Sequence, residues 1–238
     1  MKISIVVPVC NEAENIAPLA HEIRAALAPY RPFEIIFIDD GSTDGTADAV
    51  SAARDAGIEE IRLLQHARRC GQSAAVHTGV RAARADWVGT LDGDGQNDPA
   101  DLPKLLAVCA ADATPRMVIG NRVTRRDTWL RRLSSRVANG VRSRLLRDGT
   151  PDTGCGIKVM HRATFLELPR FNHMHRFLPA LFQRAGCEVI SVPVNHRPRM
   201  RGRSKYGLNN RLWVGLVDLF GVRWLIRRNP PATDAVER

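Results

Sequence analysis

The sequence predicts an α/β fold with a mainly parallel sheet. Short runs rich in β-branched residues alternate with segments of helical periodicity through the first half of the chain. Two of those runs end in clusters of Asp and Gly, DDGSTDGT and LDGDGQNDP. Alternation of this kind implies βαβ units, and such sheets keep their ligands at the carboxyl ends of the strands.

Ile3–Val9 (ISIVVPV) is an apolar run of strand length, and Ile16, Leu19, Ala20, Ile23 and Leu27 then recur at helical spacing. Glu34–Ile38 (EIIFI) is a second strand, 46–56 a helix, Ile61–Leu64 a third strand and Gln72–Ala83 a helix. Trp87–Leu91 is a fourth strand, a helix starts near Pro99, and Met117–Gly120 is a fifth strand. Farther on, Leu130, Leu133, Val137, Val141 and Leu145 mark one face of a helix ringed by arginines. Residues 177–185 follow as a helix and Val189–Val194 as a late strand.

Composition narrows the classes. Hydrophobic residues are 44% of the 238, enough for a sizeable core and against general disorder. No run approaches the roughly 20 apolar residues of a spanning helix, and MKISIVVPVCNE lacks a signal-peptide pattern. Five scattered cysteines without a CxxC favour a reducing compartment and argue against structural zinc. Residues 1–115 hold 10 Lys/Arg against 17 Asp/Glu, whereas 116–238 hold 25 against 8. An acidic half fit for a metal precedes a basic half fit for anions.

In DDGSTDGT, Gly41 and Gly45 permit a tight turn, and Ser42, Thr43 and Asp44 are caps for the next helix. Asp39, ending an apolar strand, suits the N–H edge of a base or a ribose hydroxyl. In DGDGQ, Asp92 and Asp94 lie two residues apart on one side of an extended chain, with Gln96 beside them. Mg²⁺ or Mn²⁺ favours one or two carboxylates plus substrate phosphates. Arg122 sits past a strand end, and RPRMRGRSKYG is a loop suited to phosphate or diphosphate. About half of the later arginines read as a solvated helix face, Asp152 is the one plausible general base for an acceptor other than a phosphate, and His175 reads as packed at a helix start.

VVPVCNE, DDGSTDGT, LDGDGQNDP, GNR, SSRVAN and RGRSKYG, in this order, resemble the family 2 glycosyltransferases of the GT-A fold. The branch is that of dolichol-phosphate mannose synthase and bacterial polyprenyl-phosphate sugar transferases. The resemblance implies an inverting, metal-dependent enzyme that moves a sugar from a nucleotide-sugar donor to a polyprenyl phosphate. It implies that Pro8, Glu12 and Asp39 hold the nucleoside, while Asp92, Asp94 and Gln96 hold Mg²⁺ or Mn²⁺ and the donor diphosphate. Arg122 and Arg136 would meet the acceptor phosphate, and Arg199, Ser204 and Lys205 would close over the donor. Residues 1–208 would form the catalytic domain, 209–228 an amphipathic segment on the cytoplasmic face of the inner membrane, and 229–238 a disordered tail. A homo-oligomer or a separate membrane-protein partner is compatible with this reading. A sugar hydroxyl as acceptor is the alternative. A nucleic-acid partner is disfavoured, because the basic segments lack interleaved aromatics.

Overall fold

The computed structural model describes residues 2–109, 114, 116–122, 140, 142–198 and 209–228, the side chains of 209–214 excepted. Its strands are β1 (Ile3–Val9), β2 (Phe33–Asp39), β3 (Ile61–Gln65), β4 (Trp87–Thr90), β5 (Arg116–Arg122), β6 (Lys158–His161) and β7 (Glu188–Val194). They form one sheet in the order β3-β2-β1-β4-β6-β5-β7. Every neighbouring pair is parallel except the two that involve β6. The helices are α1 (Ala13–Ala26), α2 (Thr46–Asp55), α3 (Gln72–Ala82), α4 (Leu102–Cys109), α5 (Arg162–Glu167), α6 (Leu178–Arg184) and α7 (Asn209–Arg227). The mainly parallel α/β architecture expected from the alternation is present.

Sheet position explains composition. All seven residues of β2 are buried, since helices cover a parallel sheet on both faces, and its run is accordingly apolar. The cost of burying Glu34 there is offset by bonds from the Ser4 hydroxyl at 2.6 Å, the Arg84 amide at 2.8 Å and the Arg62 guanidinium. The parallel strands end at one edge with Val9, Asp39, Gln65, Thr90 and Arg122. Antiparallel β6 begins at that same edge, so its first residue, Lys158, lies opposite Thr90 on one side and Ile119 on the other. Strand β6 and helix α5 have no counterpart in the sequence reading, because four residues, KVMH, display no clear period.

The C-terminal helix differs from its expected form. Residues 209–228 read as amphipathic, with Trp213, Leu216, Phe220 and Trp224 along one stripe. In the structure α7 is apolar on two faces. Leu219 and Val222 are buried against the domain, while Leu216, Val217, Phe220 and Trp224 point to solvent. The Arg184 guanidinium on α6 ties the helix down by donating to the Leu225 carbonyl at 3.0 Å. No helix among the described residues is long and apolar enough to cross a membrane.

Candidate active site

The carboxyl edge of the sheet gathers both acidic loops. In the first, Asp39 is buried and accepts from the Ser42 amide at 3.0 Å and the Gln65 side chain at 3.4 Å. Asp40 is also buried and accepts from the amides of Cys70 and Gly71 and from His66 Nδ1, each at 2.8 Å. Burial pushes the Asp40 carboxyl up, but these bonds overcome it and hold the group below its usual value. Asp44 is likewise held low, since its bonds from Thr46 and Ala13 outweigh burial. Gly41 has φ +69°, and a Cβ there would stand 2.6 Å from the Arg69 amide nitrogen, so this turn and residues 68–69 can meet only through glycine. Of the expected helix caps, Asp44 serves: Gly45 precedes α2 without a side chain, and Asp44 Oδ1 accepts from the amide of Thr46, the first residue of α2, at 3.1 Å. Ser42 Oγ instead accepts from the Asn11 amide, tying the turn to the loop after β1.

The second loop is built differently. Its third acid, Asp98, accepts from the Ala100 amide at 3.0 Å and is paired with Arg197 at 2.7 Å. Asp92, half-buried, accepts from Gln72 Nε2 at 2.9 Å, and Asn97 Oδ1 takes the Asp92 amide at 3.3 Å. Asp94 accepts from the Gln96 amide at 3.1 Å. Burial, followed by the charge of Asp94, pushes the Asp92 carboxyl up. Gly156 closes the site from the far side, where a Cβ would stand 2.1 Å from Asp92 Oδ2. Repulsion between two neighbouring carboxylates in a pocket that admits no side chain opposite them fits a small divalent cation.

Cations surround this pair. Lys158 is buried and donates to the Cys155 carbonyl; burial lowers its pKa, and the charge of Asp92 is the first of the effects opposing that. Arg122 makes a two-pronged bond to Asp152, Nε to Oδ2 at 2.6 Å and Nη2 to Oδ1 at 2.8 Å. That pairing bears on two sequence readings. Asp152 is committed to an arginine and is not poised as a general base. Arg122, read as an acceptor ligand, also anchors the loop that carries Gly154 and Gly156. Arg142, which lies on the helix face read as solvated, is buried and bonds Thr153, the Thr150 carbonyl and Asp148.

A cavity of about 480 Å³ opens beside Asp92. Its walls include Arg69, Gln72, Lys158, His173, His175 and Arg176. His175 Nδ1 lies 2.7 Å from Ser73 Oγ. Burial, then the positive charges of Lys158, Arg176 and His173, push the His175 pKa down to about 3, so the ring is neutral near pH 7. It occupies a 3-10 turn, Met174–Arg176, much as read, but it also lines the cavity. His173 Nδ1 is 3.0 Å from Asp218 Oδ2, which joins the cavity wall to α7.

The edge thus brings together Pro8, Asp39, Asp92, Asp94, Gln96 and Arg122. Glu12 stands at the start of α1, where its Oε2 accepts from Asn15 at 2.7 Å. Arg136, Arg199, Ser204 and Lys205 lie outside the described residues. The segment leading toward the last three straps the acidic turn: the Arg197 amide donates to the Gln96 carbonyl at 2.9 Å, and the Asn195 amide donates to Asp101 at 2.7 Å. Lys158, Gln72 and Ser73 were missed as site residues. Only the Gly71-Gln72-Ser73 helix start carried a signal, since a glycine ahead of a helix often opens a ligand-binding turn.

A family model for glycosyl transferase family 2 matches residues 4–168. The chain belongs to that family. The glycosyltransferase is 33% identical over 233 residues to dodecaprenyl-phosphate galacturonate synthase of Rhizobium johnstonii, covering 95% of this chain and 68% of the relative. It is 33% identical over 208 residues to undecaprenyl-phosphate 4-deoxy-4-formamido-L-arabinose transferase of Edwardsiella ictaluri, covering 87% and 63%. The chain therefore spans about two thirds of the length of these curated relatives. Its fold is that of a mannosyltransferase from Pyrobaculum calidifontis solved with GDP-Man and Mn²⁺ (TM-score 0.72, 21% identity, covering 97% of this chain and 66% of that one).

Proposed function

We propose that this glycosyltransferase moves a sugar, with inversion, from a nucleotide-sugar donor to a polyprenyl phosphate at a membrane surface. The observation that carries the reading is the Asp92–Asp94 pair beside a cavity walled by the cations Arg69, Lys158 and Arg176. Among the described residues Asp92 is the only carboxylate lining that cavity, the pKa of His175 is pushed down to about 3, Asp152 is paired with Arg122, and the other wall histidine, His173, is engaged by Asp218. A sugar hydroxyl would need a base to take its proton. A phosphate monoester does not, because its second pKa is about 6 and its attacking oxygen is already anionic. The relatives named above act, by their names, on dodecaprenyl and undecaprenyl phosphates.

In this reading Pro8, Glu12 and Asp39 receive the nucleoside. Asp92, Asp94 and Gln96 hold Mg²⁺ or Mn²⁺, which would neutralise charge on the leaving diphosphate. Lys158 balances the carboxylates from below. Arg122 and Arg136 draw the acceptor phosphate toward the anomeric carbon, and Arg199, Ser204 and Lys205 cover the donor.

The exposed residues of α7 and the nearby Arg211, Arg223, Arg227 and Arg228 seat the enzyme on the cytoplasmic face of an anionic membrane. Each basic residue there contributes on the order of 1 kcal/mol. A panel of labelled nucleotide sugars, offered with undecaprenyl phosphate in anionic vesicles and Mn²⁺, tests the reading. The expected result is label in an organic-extractable, acid-labile lipid. Label transferred only to the hydroxyls of a soluble glycan would favour the alternative acceptor.

A further inference from the structure

A second group of metal-ligating side chains lies outside the Asp92–Asp94 turn. Asp40 follows β2, His66 follows β3, and Cys70 precedes α3. Their carboxylate oxygen, ring nitrogen and thiol all fall within 4.8 Å of one another. We propose that these three residues form a binding site for a zinc-class divalent cation, separate from the acidic pair.

The surroundings are those a metal-bound imidazole requires. His66 Nδ1 stands 2.8 Å from Asp40 Oδ1, and Nε2 stands 3.0 Å from Thr78 Oγ1. An ion at Nδ1 takes the place of the proton shared with Asp40. Nε2–H then donates to Thr78, the outer partner that fixes ring orientation in metal sites. Asp40 is already placed by the Cys70 and Gly71 amides, and an ion requires its 2.8 Å gap to His66 to open to the roughly 3.3 Å that separates two tetrahedral ligands. Cys70 is a free, exposed thiol, which leaves an entry path from solvent. Its sulfur lies 3.2 Å from the Arg68 carbonyl, a contact that is lost when an ion displaces the thiol proton to solvent.

Donor chemistry separates the two sites. Thiolate, imidazole and carboxylate together select zinc, cobalt or cadmium, whereas oxygen ligands with substrate phosphates select magnesium or manganese. Three protein ligands leave a fourth position open to water or ligand. Arg69, Cys70 and Gly71 line the 480 Å³ cavity, so an ion here fixes part of its rim. The competing explanation is a hydrogen-bonded hub that orders residues 66–71. It accounts for Asp40 and His66 and uses the thiol only in its contact with the Arg68 carbonyl, so the two explanations part at the thiol.

The test is a Co²⁺ titration of the full, reduced chain with excess Mg²⁺ present. One cobalt per chain should appear with the near-ultraviolet absorption of a thiolate–cobalt bond. Cys70→Ser, a nearly isosteric change at an exposed position, should abolish that absorption. His66→Gln should weaken binding at least about tenfold, and Asp94→Ala should retain the absorption. A wild-type chain without the band, or a Cys70→Ser chain with the band undiminished, overturns the proposal.

Discussion

DDGSTDGT and LDGDGQNDP are both rich in Asp and Gly, and both lie past the end of a buried strand, yet their electrostatics are opposite. In the first, Asp40 and Asp44 are held below the usual carboxylate range by hydrogen bonds that overcome burial. In the second, Asp92 is pushed above it by burial and by Asp94. In the first loop, hydrogen-bond donors meet the carboxylates of Asp40 and Asp44. The second keeps an unfavourable charge pair that a cation would relieve. Similar letters therefore do different work, and the partner atoms decide which.

The sharpest way to break this comparison is Asp92→Asn. Transfer should fall by about two to three orders of magnitude, as when a group stabilising developing charge is lost. Melting temperature should hold or rise, because a repulsion disappears. A large fall in melting temperature would mean that Asp92 is a structural hub like Asp40.

Arg122→Ala should cost about 3–5 kcal/mol of stability, because it leaves Asp152 buried without its partner. Urea unfolding reads this directly. A double change, Arg122→Ala with Asp152→Ala, should recover part of the loss. If transfer to lipid phosphate stays low in the double variant while stability returns, Arg122 also serves the acceptor.

Asp40→Asn should cost about 1–3 kcal/mol, since a charged acceptor of three bonds becomes a neutral one. Acid should act on the two loops with opposite sign. Asp40 has a depressed pKa, so its contribution is present above 3.8, the ordinary value, and is lost as pH falls through the folded value. Asp92 has a raised pKa, so its penalty is relieved as pH falls through its folded value toward 3.8. Melting curves of Asp40→Asn and Asp92→Asn against pH should therefore diverge from wild type in opposite directions.

The smallest effect at neutral pH belongs to His175. Its pKa falls from 6.5 to about 3 on folding, so between those values the unfolded chain holds a proton that the native chain lacks. Stability should drop with acidification there by up to about 1.4 kcal/mol per pH unit. His175→Gln should flatten that slope while leaving stability at pH 8 nearly unchanged. An unaltered slope would mean the ring is protonated in the native state.

By itself, the sequence determined the strand–helix alternation, the edge where the site lies and the D-x-D-x-Q turn. Each is carried by local periodicity or by spacing within a dozen residues, such as the apolar run of β2 and the acids at 92 and 94. It also marked 209–228 as apolar with basic flanks. Only the tertiary structure decided which charges meet. Asp152 meets Arg122 thirty residues earlier in the chain, Asp98 meets Arg197, and His173 meets Asp218. Strand β6 was decided there too, because four residues are extended by pairing with β4 and β5 rather than by a period of their own. The same holds for α7, whose second apolar face acquires meaning only against α6. The Asp40, His66 and Cys70 cluster is the extreme case, because its members lie on three segments and no spacing links the carboxylate to the other two. Electrostatic pairing depends on distance in space, and a fold brings together charges that no window along the chain contains.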